Sequence, residues 1–215
     1  MGTITRSFAN NITTSGVLLP ASLTNASIAN VTAYNASIAT GGMVLVSSAT
    51  ASASATIDFT LGDYKEYQFY YVNIHPASNS SEFQFQCSID SGSTYGVTLT
   101  STYFRSYHIE TDAYTGFGYA STYDLAQSTA FQQLSRDTAN ASDSNTCGIM
   151  NLFNPSSTVY VKHFTASYMA SDTDPGSENG HTAGYFNTTS ALTNIRFKFD
   201  TGNVDDGTIL MYGIV

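Results

Sequence analysis

Charge is what this chain has least of. Only 11% of its 215 residues are Asp, Glu, Lys or Arg, and sixteen acids against seven bases leave a net charge of −9. A nucleic-acid footprint needs clustered Lys and Arg to neutralise phosphates, and the bases here are scattered, so no DNA or RNA partner is expected. Anionic membrane surfaces are disfavoured for the same reason. Trp is absent, and two cysteines, Cys87 and Cys147, are too few for a disulfide scaffold and too far apart for a zinc motif. No apolar run approaches the roughly 18 residues of a membrane helix, so no membrane insertion is expected.

The opening stretch MGTITRSFANNITTSGVLLPAS holds one Arg and a short apolar patch, Val17–Pro20. It resembles neither a secretory signal nor the usual myristoylation pattern, which wants Ser or Thr where Arg6 stands. Export is therefore not expected. The N-x-[ST] matches at Asn11, Asn25, Asn30, Asn35, Asn79, Asn140 and Asn187 read as chance in a chain this rich in Asn, Ser and Thr.

What the chain does have is aromatic bulk, with 15 Tyr and 13 Phe within a hydrophobic content of 42%. Abundant aromatics with little charge argue against disorder, and the length suffices to bury a core. Hydroxyl and amide side chains replace charge as the source of solubility. Such surfaces suit shells, fibres and adhesins.

The first segment is distinct. Arg6 is the only charged residue before Asp58, and Asn-Ala-Ser-Ile-Ala occurs twice, at Asn25–Ala29 and Asn35–Ala39. Helical periodicity is poor there, and Gly41-Gly42 is a natural hinge. Residues 1–42 are therefore read as an extended attachment and assembly arm, with residues 43–215 as the displayed domain. Uncharged residues can be buried against other chains at little desolvation cost. Leu18, Leu19, Leu23, Ile28, Val31, Tyr34 and Ile38 would supply its apolar contacts.

From Met43 the pattern becomes one of strands. In EFQFQCSID, Phe83, Phe85, Cys87 and Ile89 share a face, which makes Cys87 a buried core residue. In YKEYQFYYVNIH, Tyr67, Phe69 and Tyr71 share one face, and Val72 and Ile74 the other. TVYVKHFTASYMA sets Val159, Val161 and His163 opposite Tyr160, Lys162 and Phe164. Ile195, Phe197 and Phe199 alternate with Arg196, Lys198 and Asp200, and TGNVDDG turns the chain into a last strand, GTILMYGIV. Eight or nine strands are expected, with a short helix competing only in YDLAQSTAFQQLSR. The fold class is all-β: a jelly-roll-like antiparallel β-sandwich preceded by an extended N-terminal arm.

No catalytic signature stands out. Nucleophile elbow, phosphate loop, zinc-protease and dinucleotide patterns are all missing. His75, His108, His163 and His181 are isolated; His163 reads as a hydrogen-bonded structural residue and His75 as a strand end. Asp172, Asp174 and Glu178 in DTDPGSENG offer oxygens to a cation, yet they miss the EF-hand spacing, and a solvated loop is the favoured reading. No cofactor, no metal and no enzymatic activity are expected. The spacing of paired carboxylates is set by the fold, so a polysaccharide hydrolase stays as a third reading.

The most suggestive surface is Ser101–Asp124, where Tyr103, Tyr107, Tyr114, Tyr119 and Tyr123 lie among Gly, Ser and Thr, with Arg105 and His108 nearby. Tyrosine gives rigid amphipathic contact at low entropy cost, and its ring can stack on a sugar. The same segment also reads as a Tyr-rich strand pair filling the sandwich.

From Ala51 onward the chain resembles small virion structural proteins of tailed bacteriophages, particularly marine phages, in pieces that cover most of residues 43–215 in order. The resemblance rests on TASASATIDFT, YKEYQFYYVNIHPAS, CSIDSGSTYGVTLTSTYFRSYH, DLAQSTAFQQL, LFNPSSTVYVKHF, AGYFNTTSA and IRFKFDTGNVDDGTILMYGIV. It implies a virion protein with an exposed β-sandwich and a homo-oligomer, a trimer being favoured, assembled in the host bacterial cytoplasm. It carries over no catalytic or ligand residues. The leading expectation is a non-enzymatic structural protein, arm-anchored on capsid, neck or tail proteins as capsid decoration or fibre. The alternative is a receptor-binding tail module that reads host surface glycan through the Tyr-rich segment. A secreted lectin-like domain ranks below these.

Overall fold

Alternation sets the first two elements of the core. Phe83, Phe85 and Cys87 are fully buried on a strand Phe83–Ser88, and Ile195, Phe197 and Phe199 on a strand Asn194–Phe199. The two are antiparallel neighbours, with Phe197 opposite Phe85 and Phe199 opposite Phe83. The computed structural model describes residues 42–214, and among them there are twelve β-strands and no helix. In chain order these are β1 Met43–Thr50, β2 Ile57–Thr60, β3 Glu66–Pro76, β4 Phe83–Ser88, β5 Leu99–Ile109 and β6 Thr115–Tyr119. Then follow β7 Gln132–Gln133, β8 Thr146–Phe153, β9 Lys162–Ser171, β10 Gly176–Phe186, β11 Asn194–Phe199 and β12 Val204–Ile214.

Eight of these pair as one long hairpin folded over on itself. β1 pairs with β12, β2 with β11, β3 with β8 and β4 with β7, all antiparallel. Folding then sets β12 beside β3 and β11 beside β4. The resulting orders, β1-β12-β3-β8 and β2-β11-β4-β7, are those of a jelly roll. Two insertions interrupt it: β5 and β6 between β4 and β7, and β9 and β10 between β8 and β11. All four join the larger sheet, which becomes β1-β12-β3-β8-β9-β10-β5-β6, while the smaller keeps four strands. The long sheet therefore overhangs the short one.

Between the sheets lies an aromatic core. Phe197 packs against Phe59, Phe69, Phe83 and Phe85 with ring centroids 5.4–6.3 Å apart, and Phe85 reaches Phe164 at 5.0 Å in the inserted part of the sheet. Edge-to-face and tilted arrangements prevail, as the ring quadrupole favours. Lys162 opens β9 facing inward beside this core, fully buried, its Nζ donating to the Thr188 carbonyl at 3.1 Å; burial lowers its pKa.

Several expectations are corrected. Twelve strands replace eight or nine, because the two insertions add four. Ile74 points inward with Tyr71 rather than away from it, since the β3–β8 register shifts between them and Asn73 takes a φ of 54°. Such a bulge adds one residue and restores the inward face. Ile89 is exposed because β4 ends at Ser88 and the chain turns at Asp90. β9 starts at Lys162, so Val159 and Tyr160 lie in an exposed loop. His163 points outward, exposed, beside Tyr185. The stretch read as a competing helix is extended and contributes only β7.

The outward face of the long sheet is nearly free of ions. One row of cross-strand partners runs Ser48, Leu210, Tyr70, Ile149, Ser167, His181, Phe104, Tyr119, one from each of the eight strands. None is Lys, Arg, Asp or Glu. The adjacent row, Leu45 to Tyr212, Gln68, Asn151, Thr165, Ala183 and Thr102, has none either. At a strand spacing of ~4.8 Å the eight-strand row is about 34 Å wide. It ends at β1, a sheet edge where Met43, Val44, Leu45 and Val46 are all exposed.

Candidate functional site

The small sheet reaches only one end of the inner face of β5 and β10, through Phe85 on Phe186 and Gln132 on Ser101, and its last strand is the two-residue β7. The overhang leaves the rest beyond that sheet. Residues 120–140, strand only at β7, run across part of it. Beneath that loop is a carboxylate with no exposed surface, Glu178 of β10. A buried carboxylate requires compensation, and Glu178 has it on both oxygens. Oε1 accepts the Tyr168 hydroxyl at 2.5 Å; Oε2 accepts Arg105 Nη1 at 2.5 Å and Arg136 Nη1 at 3.4 Å. Tyr103 donates to the Tyr168 hydroxyl at 2.7 Å. Burial, and then the neighbouring hydroxyl and carboxylate, hold the Tyr168 phenol well above its usual range; burial does the same to Tyr103.

Arg136 ties the loop to this network. Its Nε donates to Tyr123 Oη at 2.7 Å, and its guanidinium pairs with Asp137 and, at 3.8 Å, with Asp172. Burial alone would lower its pKa; the Tyr123 hydrogen bond and the Asp137 charge raise it instead. The Arg105 guanidinium lies 4.8 Å from the centre of the Tyr107 ring. Tyr107 meets Tyr114 at 6.1 Å, and Tyr114 donates to Asp174 at 2.6 Å, which raises its pKa.

Two recesses result. The smaller, about 170 Å³, is lined by Arg105, Tyr107, Tyr114, Arg136, Asp172 and Asp174 among others. The larger, about 410 Å³, is an open shelf along β6 that shares Arg105 and Tyr107 and runs past Gly116 and Gly118 to Tyr123. Gly116 makes it possible: a Cβ there would stand 2.6 Å from the Tyr107 ring. A third groove, about 770 Å³, opens by His108, Asp112, Cys147 and Met169, where His108 and Asp112 are engaged with each other at 3.0 Å.

The expected ligand residues divide. Arg105, Tyr107, Tyr114 and Tyr123 converge on the recesses. Tyr103 is fully buried and belongs to the hydrogen-bonded core beneath them. Tyr119, paired with Phe104, borders the larger recess, its hydroxyl bonded to Asp124. Asp172, Asp174 and Glu178 do not gather: they bind Arg136, Tyr114 and the arginine pair respectively, and no cluster of metal-ligating side chains occurs among the described residues. The arm residues Leu18, Leu19, Leu23, Ile28, Val31, Tyr34 and Ile38 lie outside the described residues. Arg136 and Tyr168 escaped the sequence reading; the adjacent Arg136-Asp137 pair, in a chain so poor in charge, was the available signal.

No family model, curated protein or solved structure matches the chain. The assignment of the fold accordingly rests on strand order and register. Chemically, the site offers guanidinium donors, carboxylate acceptors and tyrosine rings, all held in place by one another.

Proposed function

We propose that the chain is a non-enzymatic structural protein of a tailed-phage particle, anchored by its N-terminal arm and displaying the jelly roll as capsid decoration or fibre. The observation that carries this reading is the outward face of the eight-stranded sheet, where two adjacent rows of cross-strand partners hold no Lys, Arg, Asp or Glu. A soluble sheet face ordinarily carries charged side chains that keep other sheets away. Here the face offers Leu, Ile, Tyr, Thr, Ser and Asn, which can be covered by a neighbouring subunit without stranding an ion. The arm, with Arg6 as its single charge, has the same character, and β1 joins the two. The non-enzymatic part of the reading draws on Glu178, whose two oxygens are occupied by Tyr168, Arg105 and Arg136.

Incorporation into particles tests it. Ile28→Asp and Ile38→Asp in the arm, and Ile149→Lys on the sheet face, are expected to lower the copy number in purified particles while leaving the melting temperature of the free protein unchanged. Particles that carry all three variants at the normal copy number would overturn the reading.

A further inference from the structure

We infer that the paired recesses around Arg105 and Tyr107 form a binding site for an uncharged saccharide, with a terminal sugar in the smaller recess and the next residues along the β6 shelf. The inference concerns the chain's own ligand and stands whether or not the chain belongs to a phage particle.

Charge decides the class. Arg105 and Arg136 face four carboxylates, Asp137, Asp172, Asp174 and Glu178, so an anionic ligand meets net repulsion. A cation would need those oxygens gathered on one point, and they are spread among Arg136, Tyr114 and Arg105 instead. A neutral polyol fits both sets of groups, because each hydroxyl donates to a carboxylate and accepts from a guanidinium. The rings supply the apolar contact that a sugar's C–H face requires. Tyr107 is shared by both recesses, packed close to Gly116 and with the Arg105 guanidinium 4.8 Å from its ring centre, which fixes the ring in place. Tyr114 is fixed by Asp174. Every contact group is already constrained by a protein partner, so little side-chain freedom is lost on binding. Gly118 completes the shelf: its missing side chain leaves open space, with no atom within 4 Å of a Cβ built there.

That last feature gives a clean test. The full-length chain is applied to a glycan array bearing neutral hexose and deoxyhexose oligomers beside uronate-containing and sialylated ones, and hits are titrated in solution. Neutral oligomers are expected to bind. Gly118→Phe, which fills the shelf without touching the fold, and Tyr107→Ala should each weaken binding by about tenfold or more, as loss of a central aromatic contact does. Tyr160→Ala, in the exposed loop before β9 and outside both recesses, should leave affinity unchanged. The inference is overturned if no neutral oligomer binds, if acidic glycans bind in preference, or if Gly118→Phe and Tyr107→Ala bind like the parent.

Discussion

Tyr103 donates its hydroxyl hydrogen to Tyr168 at 2.7 Å, and Tyr168 passes its own to Glu178 at 2.5 Å. A run of neutral hydroxyls thus ends on a buried carboxylate paired with Arg105. The arrangement connects the jelly-roll core to the recess, because the same carboxylate that stops the tyrosine chain also aims Arg105 at Tyr107.

Removing the carboxylate should therefore be costly. Glu178→Ala leaves Arg105 and Arg136 without their buried counter-charge and is expected to destabilise the fold by about 3–5 kcal/mol. Glu178→Gln keeps an acceptor for Tyr168 and should cost less. Urea unfolding of the two variants measures the difference; equal costs would mean that the charge both variants lose, and not the acceptor or packing that Gln keeps, sets the whole effect.

Phe197 sits at the centre of the aromatic core, touching rings from β2, β3 and β4. Phe197→Ala should cost about 3–5 kcal/mol. Lys198→Ala, one position along and on the other face, loses only a cation–π contact to Phe131 and should cost under about 1 kcal/mol. Comparable losses for both in thermal unfolding would contradict the register of β11.

Alkaline pH should unfold the protein through its tyrosines. Burial raises the pKa of Tyr67, Tyr71, Tyr103 and Tyr168 above the ordinary 10.0. For groups raised in the folded state, the contribution is fully present below the unfolded value and lost as pH climbs past it. Melting temperature should hold up to about pH 10 and then fall steeply, with tyrosinate absorbance from these four appearing only on unfolding. Gradual ionisation within the folded state would be the contrary result.

Glu82 makes a second, milder pH effect. Burial first, and then Asp200 and Asp137, push its carboxyl from 4.5 up to about 7. Its contribution is present below 4.5 and lost as pH rises through 7, so Glu82→Gln should melt higher than the parent above neutrality and match it in acid. Scans across that window test the sign directly.

How far the sequence could be read depended on whether the information was local. Alternation placed Phe83, Phe85, Ile195, Phe197 and Phe199 inward, because a period of two is written in consecutive residues. It misplaced Ile74, since a bulge such as that at Asn73 shifts the period without altering composition. Alternation also names faces, not neighbours, so nothing in β9 or β10 announced that they would carry the sheet beyond the jelly roll. The recess follows the same division. Its tyrosines and Arg105 stand close together in the chain, whereas Glu178 lies 73 residues beyond Arg105 and Arg136 lies 42 before Glu178.

The pairing of β1 with β12 sets a timetable as well as a topology. Thr50 meets Thr208 across 158 residues, and Met43 meets Ile214 at the end of the described chain. Contacts this distant in sequence form late and slowly. During synthesis, β1 must wait for the 158 residues that separate Thr50 from Thr208 before it meets β12, its partner strand among the described residues. A β12 from a neighbouring copy would present β1 with the same hydrogen-bond ladder and the same side chains. Exchange of the first strand between nascent copies therefore forfeits no native contact, and the slowest step in folding one subunit becomes an opportunity for joining several.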